Sequence, residues 1–126
     1  TASDSIKVLV VDDDPHVRET VVRMVENLGH RVQSAASVEE VRALWGSGSR
    51  WNRVICDVLL EGHSGLDVYR FLQACDAPPR LCFVSGNVPD ALAETIAALD
   101  STDFLAKPIS IDDLREMLAA GNRAGP

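Results

Sequence analysis

An α/β fold is expected from this chain: an open parallel sheet of five strands, doubly wound, with helices on both faces. The alternation of elements is the main reason. Short β-like runs and helix-like stretches follow one another about five times, with no close internal repeat. The run from Ile6 to Val11 is almost wholly aliphatic, the pattern of a strand buried on both faces of a parallel sheet. Where such runs stop, they stop at polar residues, and the carboxyl ends of strands are where open α/β sheets bind ligands.

The first strand ends at Asp12-Asp13-Asp14-Pro15. A helix follows from Pro15 to about Leu28, with Val17, Val21, Val25 and Leu28 at helical spacing. Pro15 suits the first helical position, Asp14 the N-cap, and Gly29 the stop. Arg31 to Ala36 alternates weakly, as an edge strand does. Ser37-Val38-Glu39-Glu40 is a capping box opening a second helix with Val41, Leu44 and Trp45. Gly46-Ser47-Gly48-Ser49 is a flexible loop, too short to link domains. Val54-Ile55-Cys56 is a third strand running into Asp57, followed by a loop with Gly62 and Gly65. A third helix passes through Leu66, Tyr69, Phe71 and Leu72 and ends before Pro78-Pro79. Leu81 to Val84 is a strand ending at Ser85-Gly86, Ala91 to Leu99 an alanine-rich helix, and Phe104 to Ala106 a fifth strand ending at Lys107-Pro108. Ser110-Ile111-Asp112-Asp113 begins the last helix, which carries Leu114, Met117 and Leu118. Right-handed crossovers then give a flavodoxin-like (βα)5 three-layer sandwich of order 2-1-3-4-5. In that order the carboxyl ends of the first and third strands flank the switch point.

The chain has 126 residues, the size of one domain, with 46% hydrophobic and 25% charged residues. Its 12 Lys+Arg against 19 Asp+Glu leave a net charge of -7, which argues against a nucleic-acid-binding face. Cys56, Cys75 and Cys82 share no paired or metal spacing; Cys56 reads as core, and a reducing, cytoplasmic setting is expected. No apolar stretch approaches the roughly 20 residues of a membrane span, and no signal peptide is evident. One domain over residues 6–120 is expected, with residues 1–5 and 121–126 as flexible ends. The start at Thr1, without Met, is in keeping with an excised domain.

The strand ends supply the chemistry. The first strand offers Asp12 and Asp13, the third Asp57, the fourth Ser85 and the fifth Lys107, one of only two lysines in the chain. Carboxylates crowded together repel one another, which raises their pKa values or calls for a cation. Oxygen-only ligands point to Mg2+ or a similar hard ion. A carboxylate nucleophile, hydroxyl, ammonium and metal are the parts of phosphoryl transfer to an aspartate. Simpler readings stand beside these. Asp14 serves as a helix cap, and Ser85 or Lys107 alone is an ordinary turn or surface residue. Phe104 is expected to be half-buried, whether as core or as a moving part. Trp45 and Trp51 read as packing around the Gly-Ser loop, and His16, His30 and His63 lack metal spacing.

Taken in order, Val10-Val11-Asp12-Asp13, Ile55-Cys56-Asp57, Phe83-Val84-Ser85-Gly86 and Phe104-Leu105-Ala106-Lys107-Pro108 resemble the receiver domain of two-component response regulators. Gly65, eight residues after Asp57, fits as well, and the resemblance runs from about Ile6 to Ala120. It implies that Asp57 takes a phosphoryl group from a phosphohistidine on a histidine kinase or phosphotransfer protein. Asp13, Asp57 and the Leu59 carbonyl would hold Mg2+, with Asp12 acting directly or through water. Lys107 and Ser85 would meet phosphoryl oxygens, Phe104 would be the aromatic switch, and Lys107-Pro108 would be cis. The output would be the face of the fourth helix, fifth strand and fifth helix, toward a downstream protein, and a phosphorylation-dependent homodimer is admitted. Neither nucleic acid nor membrane is an expected partner, nor is an external substrate. The sequence departs from the family at Glu61, where Pro is usual, so that the loop after Asp57 should be less rigid. Leu59 and Asn87 occupy positions that tune dephosphorylation in the family. Other readings are a receiver excised from a hybrid sensor kinase and a phosphorylation-independent pseudo-receiver. A haloacid-dehalogenase-type hydrolase would need an acid where Leu59 stands.

Overall fold

The computed structural model describes residues 5–60, 62–86, 90–99 and 102–122. The main sheet contains β1 (Lys7–Val11), β2 (Arg31–Ala35), β3 (Arg53–Asp57), β4 (Arg80–Ser85) and β5 (Thr102–Ala106). All four pairings are parallel and the spatial order is β2-β1-β3-β4-β5, as expected. The helices are α1 (Pro15–Asn27), α2 (Val38–Gly46), α3 (Gly65–Gln73), α4 (Asp90–Ala97) and α5 (Ile111–Asn122). Alternate residues of the buried strands feed two cores. Leu9, Val11, Cys56 and Phe83 pack with residues of α2, α3 and α4. Val8, Val10, Ile55 and Val84 pack with residues of α1 and α5. This two-sided burial explains the unbroken aliphatic runs.

Local chemistry sets the ends. The Asp14 carboxylate accepts from the His16 and Val17 N–H groups, and Pro15 begins α1. Gly29, at φ +92°, takes the left-handed conformation that ends it. The Ser37 box closes differently from expectation. Ser37 Oγ accepts from the Glu40 N–H, but Glu40 Oε1 reaches back to the Ala36 N–H. A full capping box, unread in the sequence, joins Ser64 and Asp67 at the start of α3. Gly46 belongs to α2 rather than to the loop, and α5 runs to Asn122, two residues beyond the expected domain boundary. Between β3 and α3, Leu59–Leu60 and His63–Ser64 form a short antiparallel ladder that the glycines had suggested was irregular loop. Trp45 and Trp51 do pack together, at 6.3 Å between rings.

β3 starts one residue earlier than expected, with an arginine that lies inside the protein. The Arg53 side chain is 4% exposed and pairs with Asp103 at 3.5 Å. Its Nη2 donates to the Met117 carbonyl of α5 at 2.8 Å, while Nε and Nη1 lack hydrogen-bond acceptors. Arg80 holds Asp103 from outside, at 2.8 Å and 3.0 Å. These Arg80 bonds, helped by the charges of both arginines, hold the Asp103 carboxyl below the usual carboxylate range against the opposing effect of burial. A buried ion pair with unsatisfied donors adds little stability, whereas breaking it from one side is costly. Arg53→Met removes the buried charge itself and leaves Asp103 bonded to Arg80, so it is expected to leave the urea midpoint unchanged or raise it, whereas loss of Asp103 strands the buried guanidinium. Asp103→Asn should cost about 3 kcal/mol at neutral pH. The depressed Asp103 pKa contributes stability present above its unfolded value and lost as pH falls through its folded value. The parent and Asp103→Asn curves should therefore converge below about pH 4.

Candidate functional site

Four strand ends and one turn build the site. The Asp12 N–H donates to the Ala35 carbonyl at 3.1 Å, extending the β1–β2 ladder by one bond. Asp12 Oδ1 accepts from the Asp14 N–H at 2.9 Å, and this local bond turns the chain toward α1. Asp57 closes β3 beside Val84 of β4, and its Oδ1 accepts from the Leu59 N–H at 3.1 Å. Lys107 lies just past β5. Its N–H donates to the Ser85 carbonyl at 3.1 Å, which fixes it against the end of β4. From there Nζ donates to Asp57 Oδ2 at 2.9 Å and stands 3.4 Å from Asp12 Oδ2. The Lys107-Pro108 bond is cis, as expected.

The charges are strongly coupled. Burial raises the Asp12 pKa above its ordinary value, and the Asp57 charge adds to this; the Asp14 N–H and Lys107 oppose it only in part. Burial would lower the Lys107 ammonium, but its hydrogen bond to Asp57 and the two carboxylate charges outweigh that and raise it. Carboxylate oxygens of Asp12, Asp13 and Asp57 all lie within 4.8 Å of one another. Such an oxygen-only set, partly desolvated and short of positive charge, suits a hard divalent cation.

Asp12, Asp13, Asp57 and Lys107 thus come together as the sequence suggested, with Ser85 buried at the next strand end. Phe104, expected to be half-buried, is 45% exposed, on the open side of that expectation. It pairs with Phe83 in register, on the face covered by α2, α3 and α4, but β5 is the sheet edge. Helix α4 contributes Ile96 to that core and leaves Phe104 uncovered. Leu59 is 48% exposed at the rim. The expectations for Glu61 and Asn87 lie outside the described residues.

Two contacts escape the sequence reading, which has Gly65 only as a loop and motif position and does not single out Arg18. Gly65 approaches so closely that a Cβ there would sit 2.5 Å from the Asp57 carbonyl oxygen and 3.0 Å from the Phe83 ring. A lone glycine after a loop does not signal such a contact. Arg18 Nη1 donates to the Asp12 carbonyl at 2.7 Å. Its only trace in the sequence is a cation four residues past a helix cap.

Comparison with known proteins settles the family. Residues 8–119 match the model of the response regulator receiver domain. The chain belongs to that family. The receiver is 31% identical over 123 residues to the transcriptional regulatory protein TcrA of Mycobacterium tuberculosis, covering 96% of this chain and 47% of that protein. It is 34% identical over 121 residues to the sensor kinase CckA of Brucella abortus, covering 92% of this chain and 13% of that one. The chain therefore spans less than half the length of these relatives. Among solved structures, the receiver domain of sensor histidine kinase PA1611 from Pseudomonas aeruginosa PAO1 shares the fold. Its TM-score is 0.79 at 22% identity, covering 95% of this chain and 99% of that one, and it has magnesium coordinated in its active-site cleft. The receiver is a phosphoacceptor domain of two-component signalling. Among the described residues, no helix is long and apolar enough to cross a membrane.

Proposed function

We propose that Asp57 is the acceptor, taking a phosphoryl group from a phosphohistidine of a histidine kinase or phosphotransfer protein. The observation that carries this reading is the Lys107 ammonium bridging Asp57 and Asp12, with Asp13 beside them. An oxygen of the Asp57 carboxylate forms the new O–P bond. The P–N bond breaks and its electron pair returns to the imidazole of the donor. Lys107, already hydrogen-bonded to Asp57, follows the transferred charge onto a phosphoryl oxygen. The Ser85 hydroxyl donates to a second oxygen, and Phe104 turns inward from its exposed position as Ser85 is drawn over. Mg2+ held by Asp12, Asp13, Asp57 and the Leu59 carbonyl would supply positive charge that lessens repulsion between carboxylate and phosphoryl oxygens. The magnesium reported in the PA1611 receiver supports this choice of ion. The chain acts on no external substrate and promotes only its own modification.

Beside Lys107, an apolar groove of about 440 Å³ runs between α1 and the segment after β5, lined by Val17, Thr20, Met24 and Pro108. It suits a helix presenting the phosphohistidine. Thr20→Glu, on the exposed part of α1, should slow transfer from a phosphotransfer protein about tenfold, equivalent to about 1.4 kcal/mol. Phosphorylation by a small donor should be unchanged, and equal slowing with both donors would refute the groove. The downstream partner would read the face of α4, β5 and α5 in a cytoplasmic setting, with a phosphorylation-dependent homodimer as a further assembly. Residues 6–120 would act as the whole unit, without nucleic-acid or membrane contacts, in keeping with the net charge of -7. Intact mass after incubation with a small phosphodonor and Mg2+ tests the assignment, with Asp57→Asn as the decisive variant.

A further inference from the structure

We infer that Arg18 is a positioning residue for the divalent-cation pocket, acting through the Asp12 backbone carbonyl; this rests on the acceptor reading above. The last residue of β1 to pair with both neighbours is Val11, opposite Ala35 and Cys56. The Asp12 carbonyl therefore lies beyond the ladder in a partly buried place where an unmatched acceptor would be costly. Arg18 meets it with Nη1 at 2.7 Å. A charge-assisted bond of this length is stronger than a neutral one.

The peptide that Arg18 holds joins Asp12 to Asp13. Fixing its carbonyl also fixes the plane of the Asp13 N–H, and with it the origin of the Asp13 side chain. Asp57 is held by Leu59 and Lys107, and Asp12 by Asp14 and Lys107. Asp13, the exposed member of the three, starts directly from the peptide that Arg18 holds. Arg18 is itself carried by α1, where its N–H donates to the Asp14 carbonyl at 2.9 Å. The first turn of the helix thus folds a cation back over the acidic turn preceding it.

Positioning and plain electrostatics predict opposite signs. Taking away a cation near an acidic site should tighten Mg2+ if charge alone matters, and loosen it if the Asp12–Asp13 peptide is being held. Titration of the intact chain with Mg2+, followed by amide NMR shifts, separates the two. Arg18→Met keeps the apolar stem and removes the donors, and it should weaken Mg2+ binding about tenfold, as loss of a partner outside the ligand shell does. Arg18→Lys keeps the charge and one donor and should stay within about threefold of the parent. The indole signals of Trp45 and Trp51, at the far end of the molecule, should remain in place in both variants. Unchanged or tighter Mg2+ binding in Arg18→Met overturns the inference, as does a general shift of the indole signals. Failure of Arg18→Lys to recover affinity overturns it too. A parent chain that binds no Mg2+ overturns the acceptor reading and this inference together. A parent that binds, with an indifferent Arg18→Met, overturns this inference alone.

Discussion

Asp57→Asn should take up no phosphoryl group from a small phosphodonor in the presence of Mg2+, while the parent should gain one per chain; intact mass spectrometry reads both. The amide has nearly the shape of the carboxylate, and its single oxygen can still accept from either the Leu59 N–H or Lys107, so the backbone frame of the site remains assembled. What it lacks is a nucleophilic oxygen and one of the three acidic charges within 4.8 Å of one another. Its folding stability should move the other way. Burial beside a second acid already raises the Asp12 pKa, so removing the Asp57 charge relieves repulsion. Without metal, the variant should be as stable as the parent or more so, within about 1 kcal/mol. Mg2+ should then raise the melting temperature of the parent much more than that of the variant, because binding to the folded state is what stabilises. A variant modified to the same extent as the parent would sink the assignment of Asp57.

Gly65→Ala should damage fold and function together. The added methyl would lie 2.5 Å from the Asp57 carbonyl oxygen and 3.0 Å from the fully buried Phe83 ring. Neither neighbour gives way easily: one is backbone at the end of a central strand, the other a packed aromatic. The Gly65 N–H also donates to the Val58 carbonyl at 2.7 Å, which draws the start of α3 against the end of β3. Overpacking at such a contact costs about 3 kcal/mol, or on the order of 10 °C in melting temperature. Because the relief must come from moving Asp57, phosphorylation should slow by about a hundredfold at temperatures where the variant is folded. A urea midpoint equal to that of the parent would show that the approach is looser than described.

Most of the scaffold was legible from the chain. Continuous aliphatic runs mark strands buried twice over, and Asp14-Pro15 and Gly29 mark the two ends of α1, because cap chemistry is local. The acidic set was legible for a related reason: the order of a doubly wound sheet brings the ends of β1 and β3 together whatever the loops do. Contacts between distant elements were not legible. Arg53 looks like a polar residue before an apolar run, and only the packing of α5 against β3 shows that it is inside. Phe104 has the composition of a core residue, yet it stands on an edge strand that α4 does not cover.

By itself, then, the sequence determined the order of the elements, the two cores and the identity of the carboxylates at the switch point. Periodicity, capping and turn chemistry all act within a few residues, so they can be read without a partner. The tertiary structure decided how those carboxylates are held: Lys107 across 50 residues from Asp57, Gly65 against the Asp57 carbonyl, and Arg18 on the Asp12 carbonyl. Each depends on the angle and distance at which one packed element meets another, and no local pattern in the chain encodes that distance.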